Sequence, residues 1–222
     1  QGSGREPWIT DATSQGTFLL RNICANDGGG HPCEKTYTPQ NANQDIYNNP
    51  FHRKAVIDAV NGHWYFARGD ETHGQELLQT DGTVDGTTRI TDICSGTASS
   101  YPQFLVVMNG ALYFTADDGI HGMELLRYSL PNGPAILVKD IAEGSTPSEP
   151  LWLTAMNGVL YFSAWTGSNG RELWKSDGTA AGTVLVADII AGSSGSNPHY
   201  DRLREATTYS YGRQFTVLGD KL

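Results

Sequence analysis

The chain has 222 residues, 26 of them glycine, with 18% charged residues and a formal net charge of -9. Few charges and many glycines favour turns and strands over surface helices, and an acidic chain without a basic stripe argues against a nucleic-acid partner. No apolar run approaches the roughly 18 residues of a membrane-crossing helix, so no membrane span is expected, and Gln1-Gly2-Ser3-Gly4 opens without the basic-then-apolar pattern of a targeting signal.

Residues 1–23 become legible through a later segment. Arg5-Glu6-Pro7-Trp8-Ile9-Thr10-Asp11, followed by Gly16-Thr17, matches Arg171-Glu172-Leu173-Trp174-Lys175-Ser176-Asp177, followed by Gly182-Thr183, at a constant offset of 166 (171 − 5). The later segment belongs to a repeat of period 48, and 166 is three such periods plus 22. The chain is therefore read as starting halfway through a repeat and then carrying an insertion of that remainder. The first segment is expected to supply the third and fourth strands, C and D, of a blade.

The inserted loop, 24–52, is polar and contains Tyr37, Tyr47 and Phe51. Long segments without secondary structure are usually functional or disordered. Tyr37 and Tyr47 are therefore candidate binding residues, and an ordered loop is expected to dock on a variable face or on a partner. Cys24 and Cys33 are a disulfide candidate, a bridge worth about 2 to 3 kcal/mol that fits an oxidising compartment and leaves Cys94 free. A Cys33 to Cys94 bridge and three reduced thiols are the alternatives.

Three full repeats follow, 53–100, 101–148 and 149–196, in register at a spacing of 48 (113 − 65 and 161 − 113). Tyr65-Phe66 recurs at Tyr113-Phe114 and Tyr161-Phe162, Asn61-Gly62 at Asn109-Gly110 and Asn157-Gly158, and Asp92-Ile93 at Asp140-Ile141 and Asp188-Ile189. Such a period is the size of one four-stranded propeller blade. In the middle repeat the apolar runs predict strands A to D over 104–108, 112–116, 123–127 and 136–141. Asn109-Gly110 is a strong hairpin signal between A and B, since both central residues of that turn need positive φ. The Gly-, Ser- and Pro-rich stretch 142–150 suits the crossing to the next blade. Residues 197–222 read as a degenerate A and B pair.

Glu172-Leu173-Trp174-Lys175-Ser176-Asp177-Gly178-Thr179-Ala180-Ala181-Gly182-Thr183 closely resembles the ELWxxDGTxxGT repeat of many secreted, often bacterial, repeat proteins; looser copies start at Glu76 and Glu124, the latter replacing DGT with Ser129-Leu130-Pro131. The resemblance covers most of the chain up to about residue 192 and implies a propeller-like β architecture outside the reducing cytoplasm (extracellular, periplasmic or in an organelle lumen). It implies no reaction. The expected fold is all-β: a single β-propeller domain over 1–222, four blades closed by pairing of the half-blades 1–23 and 197–222.

In such a ring the B-to-C loops share one face with the D-to-A crossings, and that face holds the varied chemistry. The loops are expected at 68–74, 117–122 and 165–170. His73 and His121 are equivalent, with Asn169 in the third copy and Asp70, Asp117 and Asp118 near in sequence. Imidazole and carboxylate suit a metal, but loops on different blades need not converge, and these side chains are read as satisfying loop backbone or facing water. No cofactor is expected. Calcium comes into view because Asp-Gly turns recur, yet no segment has the alternating-oxygen calcium loop, and Asp81 and Asp177 are read as capping their own turns.

Glu76, Glu124 and Glu172 recur once per blade, which fits a structural role better than the single catalytic pair of a glycosidase. Trp165, assigned to a loop beside Asn169 and Arg171, is a candidate for stacking on a sugar. Taken together these readings predict a non-catalytic binding or assembly module with a protein partner, and as an alternative a carbohydrate-binding lectin built around Trp165.

Overall fold

The structure is a computed structural model that describes residues 8–9, 12–15, 17–19, 55–70 and 72–196. Tyr37, Tyr47, Cys24, Cys33, the insertion and the segment after residue 196 lie outside the described residues. Among the described residues there are fourteen strands and no helix, so none long and apolar enough to cross a membrane. The chain divides into two compact units, Gln1–Leu105 with Asp117–Gly119, and Val106–Ala116 with Ile120–Leu222.

β1 (Trp8–Ile9) pairs antiparallel with β2 (Phe18–Leu19). Each full repeat then forms one four-stranded antiparallel sheet whose strands neighbour one another in chain order. The first contains β3 (Val56–Asp58), β4 (His63–Asp70), β5 (Gly74–Thr80) and β6 (Thr88–Arg89). The second contains β7 (Gln103–Met108), β8 (Ala111–Asp117), β9 (Met123–Ser129) and β10 (Ala135–Lys139). The third contains β11 (Leu151–Met156), β12 (Val159–Thr166), β13 (Gly170–Ser176) and β14 (Val184–Ala187).

The pairing register repeats along with the sequence. Leu78 stands opposite Arg89, Leu126 opposite Leu137 and Trp174 opposite Leu185, so each pair lies one sequence period beyond the last. Trp8 stands opposite Leu19, which is the Trp174 and Leu185 pair displaced by 166 (174 − 8). The strand C and D pairing is thus one pattern used four times. In the second and third sheets the ladder skips one residue at equivalent points, Val138 and Val186, where a bulge twists the outer strand.

Burial follows the apolar runs. In β8 every residue from Ala111 to Ala116 is buried, as expected for a strand covered on both faces, and Leu112, Phe114, Leu125, Leu160 and Phe162 are fully enclosed. Each such Leu or Phe contributes about 1.5–3 kcal/mol of hydrophobic stabilisation.

The hairpin turns divide into two kinds. Asn109 (φ 50) with Gly110 (φ 72), and Asn157 (φ 53) with Gly158 (φ 75), form two-residue turns with both central residues in the left-handed region. Asn61-Gly62 departs from this. There Asp58 pairs with His63 across four residues, because the Asp58 carboxylate accepts from Val60 N at 3.1 Å and Asn61 Nδ2 at 2.5 Å, and Gly62 N donates to Asp58 O at 2.8 Å. The wider turn shifts the A–B register of the first sheet by two residues: Val56 faces Tyr65, whereas Thr154 faces Tyr161.

Candidate functional site

The repeated glutamates decide whether the regular polar residues are chemistry or scaffold. Glu76, Glu124 and Glu172 lie on strand C and are buried, 1%, 0% and 0% exposed. Each carboxylate accepts hydrogen bonds from the crossing that leads out of its own sheet. Glu124 accepts from Ser148 N (3.0 Å), Ser148 Oγ (2.5 Å), Ile141 N (3.3 Å) and Ala142 N (3.4 Å). Glu76 accepts from Ser100 N (3.0 Å), Ser100 Oγ (2.7 Å) and Ile93 N (2.9 Å). Glu172 accepts from Ser196 N (2.6 Å), Ser196 Oγ and Ile190 N (3.3 Å). Burial pushes the Glu124 carboxyl up to about 7, against those donors, and moves Glu76 in the same direction. These groups bind the backbone and the serine hydroxyl of the crossing in all three copies, with Glu172 taking Ile190 N, one residue beyond the position of Ile93 and Ile141.

The crossing has two further supports that the sequence reading passed over. Ser100, Ser148 and Ser196 recur at the same period as the glutamates, as do Gly74, Gly122 and Gly170 beside the start of strand C. The glycines have φ of +64, +71 and +64, and the crossing passes directly over them: a Cβ on Gly74 would stand 2.1 Å from Ala98 O, and one on Gly170 2.4 Å from Gly195 N. Asp92 and Asp140 tie down the first turn of the crossing, accepting from Gly96 N at 3.2 Å and Gly144 N at 2.9 Å.

The DGT turns are equally self-contained. Asp177 Oδ1 accepts from Thr179 N (2.9 Å) and Thr179 Oγ1 (2.7 Å), Gly182 N donates to Thr179 Oγ1 (2.9 Å), and Thr183 Oγ1 donates to Thr179 O (2.7 Å) while sharing a hydrogen with Ser176 Oγ (2.8 Å). The copy around Asp81, Thr83, Gly86, Thr87 and Thr80 has the same bonds. A Cβ on Gly182 would stand 2.0 Å from Asp177 Oδ1, which explains the second glycine of the motif. These hydrogen bonds hold the Asp81 and Asp177 carboxyls below the usual carboxylate range.

The B-to-C loops are shorter than the spacing suggested because the strands run further. Asp70 ends β4, and its Oδ1 accepts from Thr72 N (2.8 Å), Thr72 Oγ1 (2.8 Å) and His73 N (2.7 Å), with His73 Nδ1 at 3.0 Å. Burial raises the Asp70 pKa, but the Thr72 and His73 hydrogen bonds outweigh it and the net shift is downward. Asp117 ends β8; its amide donates to Ser100 O and its Oδ1 accepts from Gly119 N at 2.7 Å. Asp118 and His121 are half-buried in the turn that follows. Asn169 accepts from Ser168 Oγ (2.7 Å) and Thr166 Oγ1 (3.3 Å) and donates to Asp188 Oδ2 (2.9 Å).

Trp165 requires a correction. It belongs to strand β12, directly opposite Arg171, and is half-buried; the loop proper is only 167–169, because the ladder continues to Thr166 and Gly170. Its amide donates to Ser148 O at 2.8 Å, and its ring end packs 3.7 Å from where a Cβ on Gly167 would be. Arg171 is held by Glu149, through Nη1 to Glu149 O (2.7 Å) and Nη2 to Glu149 Oε2 (2.8 Å). Trp165 lines a cleft of about 380 Å³ together with Ile141, Glu143, Thr146, Thr166 and Ser168.

Cys94 carries a free thiol whose pKa is raised by burial and by the nearby carboxylates of Asp117, Glu76, Asp118 and Asp92. Among the described residues no group of three or more His, Cys, Asp and Glu side chains comes together to hold a metal ion. In comparisons with known proteins, no family model matches the chain and no curated protein matches it.

Proposed function

We propose that the chain is a non-catalytic binding or assembly module, a rigid β-propeller accessory subunit or adhesion domain that engages a protein partner outside the reducing cytoplasm. The observation that supports this most is the use of the recurring carboxylates. Glu76, Glu124 and Glu172 hold crossings, and Asp81 and Asp177 hold turns, so the residues that repeat are occupied by architecture. What remains to confer specificity is what varies: the B-to-C turns, the adjoining crossings and the 24–52 insertion.

The ring in this proposal has four blades of the ELWxxDGT kind. Two strands from 1–23, twelve from the three full repeats and two from 197–222 make sixteen, and pairing the half-blades would remove exposed sheet edges. A second reading, a lectin, is favoured by one observation, the indole of Trp165 beside the hydroxyls of Thr146, Thr166 and Ser168.

Affinity capture from the native source with the intact chain and with residues 26–48 deleted tests the first reading. A stoichiometric protein held by the intact chain and lost on deletion, at unchanged melting temperature, supports it. A glycan array bound by the intact chain but not by Trp165→Ala, with no protein captured, would favour the lectin instead.

A further inference from the structure

The cleft beside Trp165 occurs where the repeat departs from its own pattern. Trp165 is equivalent to Gly69 and Asp117 in the other copies, and Glu143 to Ser95 and Ala191, so among the described repeats an aromatic on strand B and a carboxylate on the crossing meet at this cleft alone. Neither residue is needed by the scaffold, since the other copies dispense with both.

The polar groups of the cleft decide which ligand suits it. The hydroxyls of Thr166 and Ser168 are turned onto Asn169 Oδ1, at 3.3 and 2.7 Å, and so close their own loop. No Lys or Arg lines the cleft, and Glu143 is exposed with no hydrogen bond or ion pair among the described residues. That leaves an indole wall, an exposed carboxylate, the single hydroxyl of Thr146 and the buried Ile141 in a chain of net charge -9. A sugar would ask for several converging neutral hydrogen-bonding groups, whereas an indole face with a carboxylate attracts an organic cation through its quadrupole and its charge. At about 380 Å³ the cleft has room for such a side chain.

We propose that this cleft receives a lysine or arginine side chain of a partner protein, stacked on Trp165 and paired with Glu143. The proposal rests on the reading of the chain as a protein-binding module and names the chemistry by which it would recognise its partner. Arg171, the cross-strand neighbour of Trp165, is already neutralised by Glu149 and so does not compete for Glu143.

Titration of the intact chain with Nα-acetyl-lysine methylamide and Nα-acetyl-arginine methylamide, followed through the indole resonance of Trp165, tests the site. N-acetylglucosamine and galactose form the sugar arm, and Trp165→Phe assigns the resonance. The cations are expected to shift it, with affinity about threefold to tenfold weaker in Glu143→Gln and falling as salt is raised, while the sugars leave it in place. A response to sugars alone, to neither class, or to cations equally in Glu143→Gln would overturn the proposal. The wider reading separates cleanly: a captured partner protein that stays bound to both variants refutes this site but not the module, whereas intact cation binding with no captured protein refutes the module but not the site.

Discussion

Replacing Glu124 by alanine is the sharpest perturbation of the scaffold. The change leaves four donors in a buried place, of which Ser148 N at 3.0 Å and Ser148 Oγ at 2.5 Å are strongly bonded and Ile141 N and Ala142 N, at 3.3 and 3.4 Å, weakly. An unsatisfied buried donor costs about 1–3 kcal/mol, and water entering the space offsets part of that, so the two strong donors set a net loss of about 2–4 kcal/mol. Ser148→Ala removes one hydroxyl and leaves the carboxylate its backbone donors, for a loss of about 1 kcal/mol. Urea unfolding of the two single variants and the double variant should give the order Glu124→Ala worse than Ser148→Ala, with a coupling of about 1 kcal/mol. Amide exchange should become faster in Glu124→Ala at Ile141, Ala142 and Ser148. A Glu124→Ala protein as stable as the parent, or one harmed less than Ser148→Ala, would refute the assignment of this glutamate as a clamp.

Other outcomes follow from the same geometry. Because the folded Glu124 carboxyl sits at about 7, above the ordinary glutamate value of 4.5, its contribution is fully present below about pH 4.5 and is lost as pH rises through 7. The difference in stability between parent and Glu124→Gln should therefore swing by about 3 kcal/mol against the parent from pH 4.5 to 8, and a constant difference would contradict the burial argument. Gly182→Ala, whose Cβ would meet the Asp177 carboxylate, should cost about 2–3 kcal/mol, against about 1 kcal/mol for Gly192→Ala, which has open space but a φ of +90; equal losses by thermal unfolding would undo the account of the DGT turn. Cys94 should alkylate slowly at pH 8 and quickly once unfolded, as followed by peptide mass spectrometry, because burial and carboxylates raise its pKa; a native rate like that of a free peptide thiol would exclude this.

The strands and turns were legible because their signals are local and repeated. Alternation, Asn-Gly and DGT each act within a few residues, so the sequence period exposed them, and the middle repeat's strands fall where its apolar runs lie. The glutamate clamp was half legible: Glu124 recurs visibly, but Ser148 is 24 residues away, across a crossing whose path no local pattern gives. Asn61-Gly62 misled because Asp58, three residues before the turn asparagine, captures the local donors and widens the turn. Trp165 was displaced into a loop because the repeat puts Asp117 at that position, where a strand end is read naturally as a turn. Glu143 was missed because it breaks the period and has no match in the other copies.

In the proposed module the recurring residues build the scaffold and the varied B-to-C side recognises a protein. Hydrogen exchange of the chain bound to a partner captured from its native source tests this most directly. Protection is expected at 118–122, 143–146 and 166–170, with the DGT turns at 81–87 and 177–183 unchanged. Protection confined to the DGT turns would contradict it.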